Sequence, residues 1–146
     1  MNITQIQTLR DLPEWISLDS LTGFLHTHLK PYEDTPQDIR KGLDYALSDD
    51  PGKGGFVLIA HEESNIQGAL VMLKTGMEGF VPGNLLLFIA VHKDLRGKGL
   101  GGRLIEEAKQ HAEGDVCLHV EYDNPAKRLY ERSGFSTKYA EMRFTR

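Results

Sequence analysis

The sequence has a single cysteine and no long apolar segment, and these absences narrow the class of protein. With Cys117 alone, the chain forms no internal disulfide and no thiolate zinc cluster. The longest apolar run covers residues 85–91, seven residues, whereas a membrane-spanning helix needs roughly 20. The first five residues carry no basic segment that leads into an apolar stretch, so no secretory signal is visible. We therefore expect a cytoplasmic protein that does not associate with membranes.

The sequence also lacks an excess of positive charge. Its formal net charge of −4 argues against nucleic-acid binding, which usually shows a strongly basic surface. Residues 1–74 hold six Lys or Arg and eleven Asp or Glu, whereas residues 75–146 hold eleven and ten. An acidic first half and a locally basic second half suit a cationic partner beside an anionic one, and ordinary scatter of charge along the chain is the alternative. The 146 residues, 40% hydrophobic and 26% charged, indicate one globular domain over residues 1–146.

The first 48 residues have a helical pattern. A capping-box pattern begins at Asp11, and apolar residues follow it at helical spacing until Pro31 ends the helix. Thr35 followed by Pro36 is typical of the start of a second helix, which has a buried stripe over residues 39–47. Two helices are therefore predicted before the first glycine-rich loop.

The remainder of the chain alternates between strands and helices. Strands are predicted at residues 56–60, 66–73, 85–91 and 116–121, helices at 100–114 and 125–132, and a final extended segment at 135–144. The segment 85–91 is too apolar to alternate, which predicts a central strand covered on both faces. This order of elements predicts an α/β fold.

The segment 91–103 joins that central strand to a helix, and it carries the chemistry. Glycines stand at positions 97, 99, 101 and 102, where they let the backbone turn tightly and approach a ligand. The free N–H groups of a helix N-terminus form an anion site. Positive charge is unfavourable near the N-terminus of a helix, which is the positive end of its dipole. Yet four basic residues and only one acidic residue, Asp94, surround this helix start: Lys93, Arg96, Lys98 and Arg103. We interpret the loop as a pyrophosphate site; a glycine-rich turn beside a solvated basic face is the alternative.

The spacing of the glycines in this segment narrows the choice of the anion that it binds. A P-loop is excluded because Gly97-Lys98 is followed by Gly99 instead of Ser or Thr. The pattern Gly97-x-Gly99-x-x-Gly102 satisfies the dinucleotide fingerprint, and Glu121 lies at about the acidic distance expected for it. A dinucleotide-binding oxidoreductase is therefore an alternative, although only one β-α-β unit is visible and it does not open the chain.

The pattern Arg96-x-x-Gly99-x-Gly101 resembles the acyl-CoA loop of the GNAT superfamily of N-acetyltransferases. A second block similar to that family covers residues 124–135, from Asn124-Pro125 to Gly134-Phe135. The two blocks together, in order, make the resemblance specific over residues 56–135. It implies a GNAT-like fold: a central mixed, mostly antiparallel sheet flanked by helices, in the order β-α-α-β-β-β-α-β-α-β.

The resemblance also implies an activity and a cofactor. The family moves an acetyl group from acetyl-CoA, with no metal, to a primary amine that attacks directly while both substrates are bound. Here the acceptor would be a small-molecule or peptide amine, and a homodimer is possible. An acyl-CoA-binding module without catalysis is the alternative. The residues that would bind the cofactor are Ala90, Val91, Arg96, Gly97, Lys98, Gly99, Leu100, Gly101, Gly102, Asn124 and Lys127.

Catalytic roles follow from the same resemblance. Tyr130 would be the acid that protonates the departing CoA thiolate, since a tyrosine with a pKa near 10 can donate at neutral pH. An aromatic core residue on a short helix is the alternative for this position. His119 and Glu121 share one face of a predicted strand and are candidates for the base that deprotonates the amine, with water relay as the alternative. Only twelve residues follow Gly134, so the family's final strand pair must be short or reduced to one strand. Tyr32 could line the acceptor pocket or pack in the core.

Overall fold

A five-stranded sheet forms the centre of the computed structural model, which describes residues 1–146. The strands are β1 (Asn2–Ile6), β2 (Gly55–Glu62), β3 (Asn65–Lys74), β4 (Asn84–Val91) and β5 (Val116–Leu118), and the helices are α1 (Leu18–His28), α2 (Pro36–Ala46), α3 (Leu100–His111) and α4 (Ala126–Arg132). In the order β1-β2-β3-β4-β5, the first four strands are antiparallel and β5 runs parallel to β4. This mixed, mostly antiparallel sheet with flanking helices confirms the predicted fold class.

Alternation along the strands divides the core between the two faces of the sheet. Val57 and Ile59 of β2 join a buried cluster with α1 and α2, whereas Phe56 and Leu58 join a second cluster with α3. Helices thus cover both faces, and β2 and β3 are buried along most of their length. Because apolar burial contributes about 25 cal/mol per Å², this two-sided packing is the main stabilising contribution in the fold.

β4 and β5 stay paired over only three residues. Their register ends where Leu86 faces Leu118, so the rest of β4 has no neighbour on that side. A bulge lies at the same place, since Val71 of β3 faces Phe88 and the next residue of β3 faces Leu86. Leu87 is the extra residue, and such a residue bends a strand. The two strands therefore separate and leave an open edge on the second half of β4.

The N-terminal segment differs from its helical prediction. Residues 2–6 form the edge strand β1 against β2, which buries Ile6 completely. The carboxylate of Asp11 accepts hydrogen bonds from the N–H groups of Gln7 and Thr8, at 3.0 and 3.1 Å, and closes a single 3₁₀ turn. α1 begins at Leu18. The helical prediction is wrong before that residue because pairing with an apolar strand outweighs the local pattern. The initial strand agrees with the order implied by the GNAT resemblance.

The C-terminal part contains less strand than predicted. β5 ends at Leu118, so residues 119–121 lie beyond it. Residues 135–146 have no regular secondary structure, and Met142 and Phe144 there are 90% and 83% exposed. The predictions of strand at 119–121 and 135–144 are therefore wrong. Alternating apolar residues mark a segment that can pair, but a strand also needs a neighbour to pair with.

Candidate active site

The loop between β4 and α3 turns twice at glycine. A 3₁₀ turn at Lys93–Leu95 follows β4, and the backbone then passes through Gly97 and Gly99, whose φ angles are 79° and 87°. Side chains disfavour this left-handed region, so both positions favour glycine. Gly99 is the N-cap of α3, and Arg103 donates the first helical hydrogen bond, 3.1 Å to the Gly99 carbonyl.

The backbone N–H groups of this loop have no partner within the chain. None of the seven residues 96–102 donates a backbone hydrogen bond to another residue. The N–H groups at the start of α3 are those that any helix leaves free, and the helix dipole adds positive potential to them. The glycines at 97 and 99 extend this set into the loop. The result is a run of donors suited to an anion with several oxygen atoms.

The side chains around the loop reinforce its positive charge. Lys93, Lys98 and Arg103 have no acidic group within 4.0 Å, whereas Asp94 lies 3.9 Å from the His92 ring. No acidic residue stands in the first turn of α3, where it would normally stabilise the helix dipole. The loop therefore combines free donors with unpaired cations.

The side chain of Arg96 turns away from those donors. Its Nε donates to the Val91 carbonyl at 3.3 Å, and its Nη2 donates to the carbonyl of His28, the last residue of α1. The pattern Arg96-x-x-Gly99-x-Gly101 thus contains an arginine that fixes the loop to β4 and α1. Only the backbone N–H of Arg96 remains free to bind an anion.

The open edge of β4 presents the backbone of Ile89 and Val91. His92 donates 2.8 Å to the Gln67 carbonyl of β3, so Val91 and its partner Gly68 form a non-hydrogen-bonded pair. Val91 consequently points its N–H and carbonyl away from β3, as does Ile89. Ala90, which the sequence also proposes as a cofactor residue, points its backbone toward β3. The edge that can pair with an extended ligand therefore contains the N–H and carbonyl of Ile89 and the N–H of Val91, whose carbonyl accepts Arg96.

Close packing brings α4 against the start of α3 and the end of β4. A Cβ on Gly101 would lie 2.9 Å from Leu129 Cδ2 and 3.8 Å from Val91 Cγ2. Gly101 thus lets the two helices approach, in contrast to Gly102, where a Cβ would meet nothing within 4 Å. The anion site, the open strand edge and α4 form one continuous surface.

Tyr130 lies on α4 and is 8% exposed. Its ring meets Phe135 edge-to-face at 6.0 Å between centroids, and its hydroxyl makes no hydrogen bond within the chain. Burial disfavours the charged phenolate and, with the charge of Glu121, raises the pKa of Tyr130 to about 12. The hydroxyl is therefore protonated throughout the physiological range and has no donor role inside the fold.

Asn124 and Lys127 form hydrogen bonds at the start of α4. The Asn124 Oδ1 accepts the Ala126 N–H at 2.9 Å, and its Nδ2 donates to Glu121 Oε1 at 3.2 Å. Lys127 donates its N–H to the Asn124 carbonyl at 3.0 Å and pairs its Nζ with Glu131 at 3.7 Å. One amide hydrogen of Asn124 remains without a partner, so a further hydrogen bond to a ligand is open to it.

His119 and Glu121 do not share a strand face, because both lie beyond the end of β5 and are exposed. His119 makes no hydrogen bond, which leaves it without a partner that would orient it. The negative charge of Glu121 acts on Tyr130 and also on Tyr32, whose hydroxyl donates 3.1 Å to the Asp123 carbonyl. Desolvation and the charges of Asp123 and Glu121 raise the pKa of Tyr32. Of the two candidate bases, only Glu121 contributes to the electrostatic environment of Tyr130.

A groove of about 530 Å³ runs between α3 and α4 from the anion site. Its walls include the acidic residues Glu106 and Glu107, which pair with Lys109 at 3.0 Å and with His111 at 3.4 Å. Its walls also include Arg103 and Arg132, and neither has an acidic group within 4.0 Å. The groove therefore offers unpaired guanidinium groups next to Gly102. The structure places no three His, Cys, Asp or Glu residues where they could hold a metal ion, and none of its helices combines the length and apolar character of a membrane span.

Sequence reasoning missed several residues of this surface. Ile89 could have been found from the period of β4, had the bulge at Leu87 been visible. Leu129 and Arg132 lie inside the second block of the resemblance and carry no pattern of their own. His28 contacts the loop from a helix 65 residues away, and no signal in the sequence predicts that contact.

Comparison with known proteins agrees with this surface. The family model of the acetyltransferase (GNAT) domain matches residues 53–137, which include the open strand edge, the anion loop and α4. Fold and site thus define an acetyltransferase-type domain. The chain belongs to the GNAT acetyltransferase family. A search of curated protein sequences finds no match.

Solved structures of the same fold cover nearly the whole chain. A ribosomal-protein-alanine N-acetyltransferase from Brucella melitensis has a TM-score of 0.65 and 20% identity, with 100% of each chain covered. An aminoglycoside 6'-N-acetyltransferase from Acinetobacter haemolyticus has a TM-score of 0.63 and 20% identity over 100% of this chain and 98% of its own. A transcriptional regulator from Bacillus halodurans has a TM-score of 0.65 and 19% identity over 99% of each. At these identities the similarity is one of fold.

Proposed function

We propose that this protein is an N-acetyltransferase that moves an acetyl group from acetyl-CoA to a primary amine. The single observation that carries the proposal is the run of free backbone donors at residues 96–102, continuous with the open edge of β4 and with Tyr130. Acetyl-CoA has a matching order of parts: a pyrophosphate, an extended arm with amide groups, and a thioester. The fold offers little support for a dinucleotide oxidoreductase, because its only parallel strand pair is β4 and β5.

Each part of the cofactor has a counterpart in the chain. The donors of residues 96–102 would bind the pyrophosphate, with Lys98 and Arg103 nearby to neutralise its charge. The N–H and carbonyl of Ile89 and the N–H of Val91 would pair with the amide-containing arm along the free edge of β4. The groove with Arg103 and Arg132 would receive the phosphorylated nucleotide end. Asn124 has one amide hydrogen left for the arm.

When bound, acetyl-CoA supplies a thioester carbonyl for a nucleophile to attack. The amine nitrogen forms the new bond to the carbonyl carbon, the carbon–sulfur bond breaks, and the sulfur takes up a proton. Tyr130 is the donor in this proposal because it is protonated and lacks any other partner. Full transfer from a group of pKa about 12 to a thiolate of ordinary pKa near 8.5 is uphill by roughly 5 kcal/mol. Tyr130 therefore donates a hydrogen bond first and gives up its proton as the one leaving the amine replaces it.

Deprotonation of the amine falls to Glu121 or to water. The charge of Glu121 acts on Tyr130, and the Glu121 carboxylate accepts a hydrogen bond from Asn124. Exposed and beyond β5, His119 has no contact that directs it toward Tyr130. A carboxylate that contacts water can pass the proton of the amine to the solvent through that water.

The acceptor is an amine of cationic character in this proposal. The Tyr32 hydroxyl donates a hydrogen bond to the Asp123 carbonyl, and burial together with the negative charges of Asp123 and Glu121 raises the pKa of Tyr32. The same negative potential favours an ammonium group. Among proteins of this fold, one is named for a ribosomal-protein alanine and another for an aminoglycoside, both of which present amines. Peptide N-termini, lysine side chains, polyamines and amino sugars all fit this class.

A thiol-release assay with a panel of such amines tests the proposal. We expect CoA to be released from acetyl-CoA in the presence of at least one amine, with the acetyl group recovered on its nitrogen by mass spectrometry. Acetyl-CoA binding without turnover for any amine would instead identify a binding module. Cytoplasmic location and a homodimer remain predictions, which fractionation and the solution mass can test.

A further inference from the structure

His28 ends α1 and contacts the anion loop through both its ring and its backbone. Its Nδ1 accepts a hydrogen bond from the Lys93 N–H at 3.2 Å. Its carbonyl accepts the Nη2 of Arg96. The ring also packs between Phe24, at 4.5 Å between centroids, and His92, at 4.4 Å. A single residue of the first helix therefore contacts the loop at three points.

These contacts stand at the entrance to the free donors. Lys93 and Arg96 bracket the 3₁₀ turn that leads into residues 96–102, so their positions set the direction in which the loop leaves β4. His28 lies outside residues 53–137, which the family model matches. We propose that His28 is a positioning residue that holds the acyl-CoA loop in its anion-binding conformation through its Nδ1. The inference rests on the proposed function, because it assumes that the loop binds acetyl-CoA.

The hydrogen bond requires one particular form of the ring. To accept the Lys93 N–H, Nδ1 must carry no proton, so the ring is neutral and its proton stands on Nε2. The groups that face the ring are His92, Lys93 and Arg96, which disfavour its protonation, and Asp94, which favours it. Burial and the three basic neighbours lower the pKa of His28. At neutral pH the acceptor is therefore available.

Two substitutions separate the acceptor from the aromatic ring. His28→Asn supplies an amide oxygen near the place of Nδ1 but removes the ring between Phe24 and His92. His28→Phe keeps that ring and removes the acceptor. His26→Ala is the matched control, because His26 lies on the same turn of α1 and makes no hydrogen bond or ion pair. Thermal unfolding of each variant without ligand verifies that it folds.

Calorimetric titration with acetyl-CoA at pH 8 gives the decisive comparison. We expect His28→Phe to weaken the affinity about five-fold, the equivalent of roughly 1 kcal/mol for one hydrogen bond. His28→Asn and the control should stay within two-fold of the wild type. If His28→Phe kept the affinity of the wild type and His28→Asn lost it, the ring would act by packing alone. Equal affinities for all variants would show that His28 has no role. Either result overturns the proposal. Failure of the wild type to bind acetyl-CoA would instead refute the proposed function on which the inference rests.

A measurement on the unmodified protein removes the dependence on folding variants. The ¹⁵N chemical shifts of the ring distinguish its two tautomers. We expect His28 at pH 8 to carry its proton on Nε2, with Nδ1 shifted as an acceptor. A proton on Nδ1 would exclude the hydrogen bond from Lys93 and overturn the proposal.

Discussion

Replacing Tyr130 with phenylalanine separates a chemical role for the hydroxyl from a structural one. The hydroxyl makes no hydrogen bond within the chain, and the ring packs in the core near Phe135. Tyr130→Phe keeps that packing, so the free energy of unfolding at pH 8 should change by no more than about 1 kcal/mol. The variant should still bind acetyl-CoA. Turnover should fall by at least about ten-fold, because general-acid groups contribute roughly 10²–10⁴ to rates.

The pKa of Tyr130 gives the same variant a signature in alkaline solution. Its folded pKa of about 12 lies above the ordinary value of 10, so the protonated form stabilises the fold. That contribution is complete below pH 10 and is lost as the pH rises through 12. It amounts to about 3 kcal/mol over the whole window and to roughly 1 kcal/mol at pH 11. Phenylalanine does not titrate, so the variant should lose correspondingly less stability than the wild type.

Two assays test these expectations. Urea unfolding of both proteins at pH 8 and pH 11 gives the difference in stability, in which the contributions of the other tyrosines cancel. Thiol release with a responsive amine gives kcat. Equal stability losses at pH 11 would show that Tyr130 is not buried as described. Unchanged turnover would refute the acid role, and loss of acetyl-CoA binding would show that the substitution disturbed the cofactor site.

Three further substitutions, two of them with a matched control, test the loop and the groove. Gly101→Val should cost about 1–3 kcal/mol of stability, because its Cβ would lie 2.9 Å from the Leu129 side chain of α4. Gly102→Ala is the control, and calorimetry should show it as neutral or slightly stabilising, since nothing lies within 4 Å of its added Cβ. Gly99→Glu should abolish acetyl-CoA binding by placing bulk and negative charge among the free donors at a φ of 87°, and titration with retained affinity would exclude this loop as the pyrophosphate site. Arg132→Gln should weaken the affinity for acetyl-CoA several-fold and reduce the salt dependence of binding. Arg128→Gln, which lies outside the groove, should leave both the affinity and its salt dependence unchanged. Equal effects of the two substitutions would show that the groove is not part of the cofactor site.

The sequence predicts the local features of this fold better than its long-range ones. The helix after Thr35 and the loop at residues 96–102 follow from short signals, a cap with proline and a run of glycines, that act within a few residues. The local pattern does not predict β1, which only the order implied by the GNAT resemblance includes, because its pairing with β2 joins residues more than 50 positions apart. The strand predicted at 119–121 has the right alternation, but β5 separates from β4 after Leu118. Alternation alone cannot show where two strands separate.

In the candidate site, too, the sequence predicts the features that depend on nearby residues and misses those that depend on distant ones. Glycine and basic residues identify the anion loop, because the chemistry requires those residue types at that spacing. The side-chain direction of Arg96 and the contact of His28 with Lys93 depend on the packing of α1 against the sheet, which joins positions 65 residues apart. Similarly, the open edge at Ile89 and Val91 depends on the bulge at Leu87, which no pattern in the apolar run predicts.

The central claim is that the loop at residues 96–102 recognises acetyl-CoA, and a thermal-shift titration of the purified protein tests it most directly. NAD and NADP serve as controls, because a dinucleotide also carries a pyrophosphate. At a concentration 100-fold above Kd, a ligand stabilises the folded state by about 3 kcal/mol, which raises Tm by roughly 5–10 °C for a chain of this length. We predict such a rise with acetyl-CoA alone. A rise with NAD or NADP and none with acetyl-CoA would contradict the account.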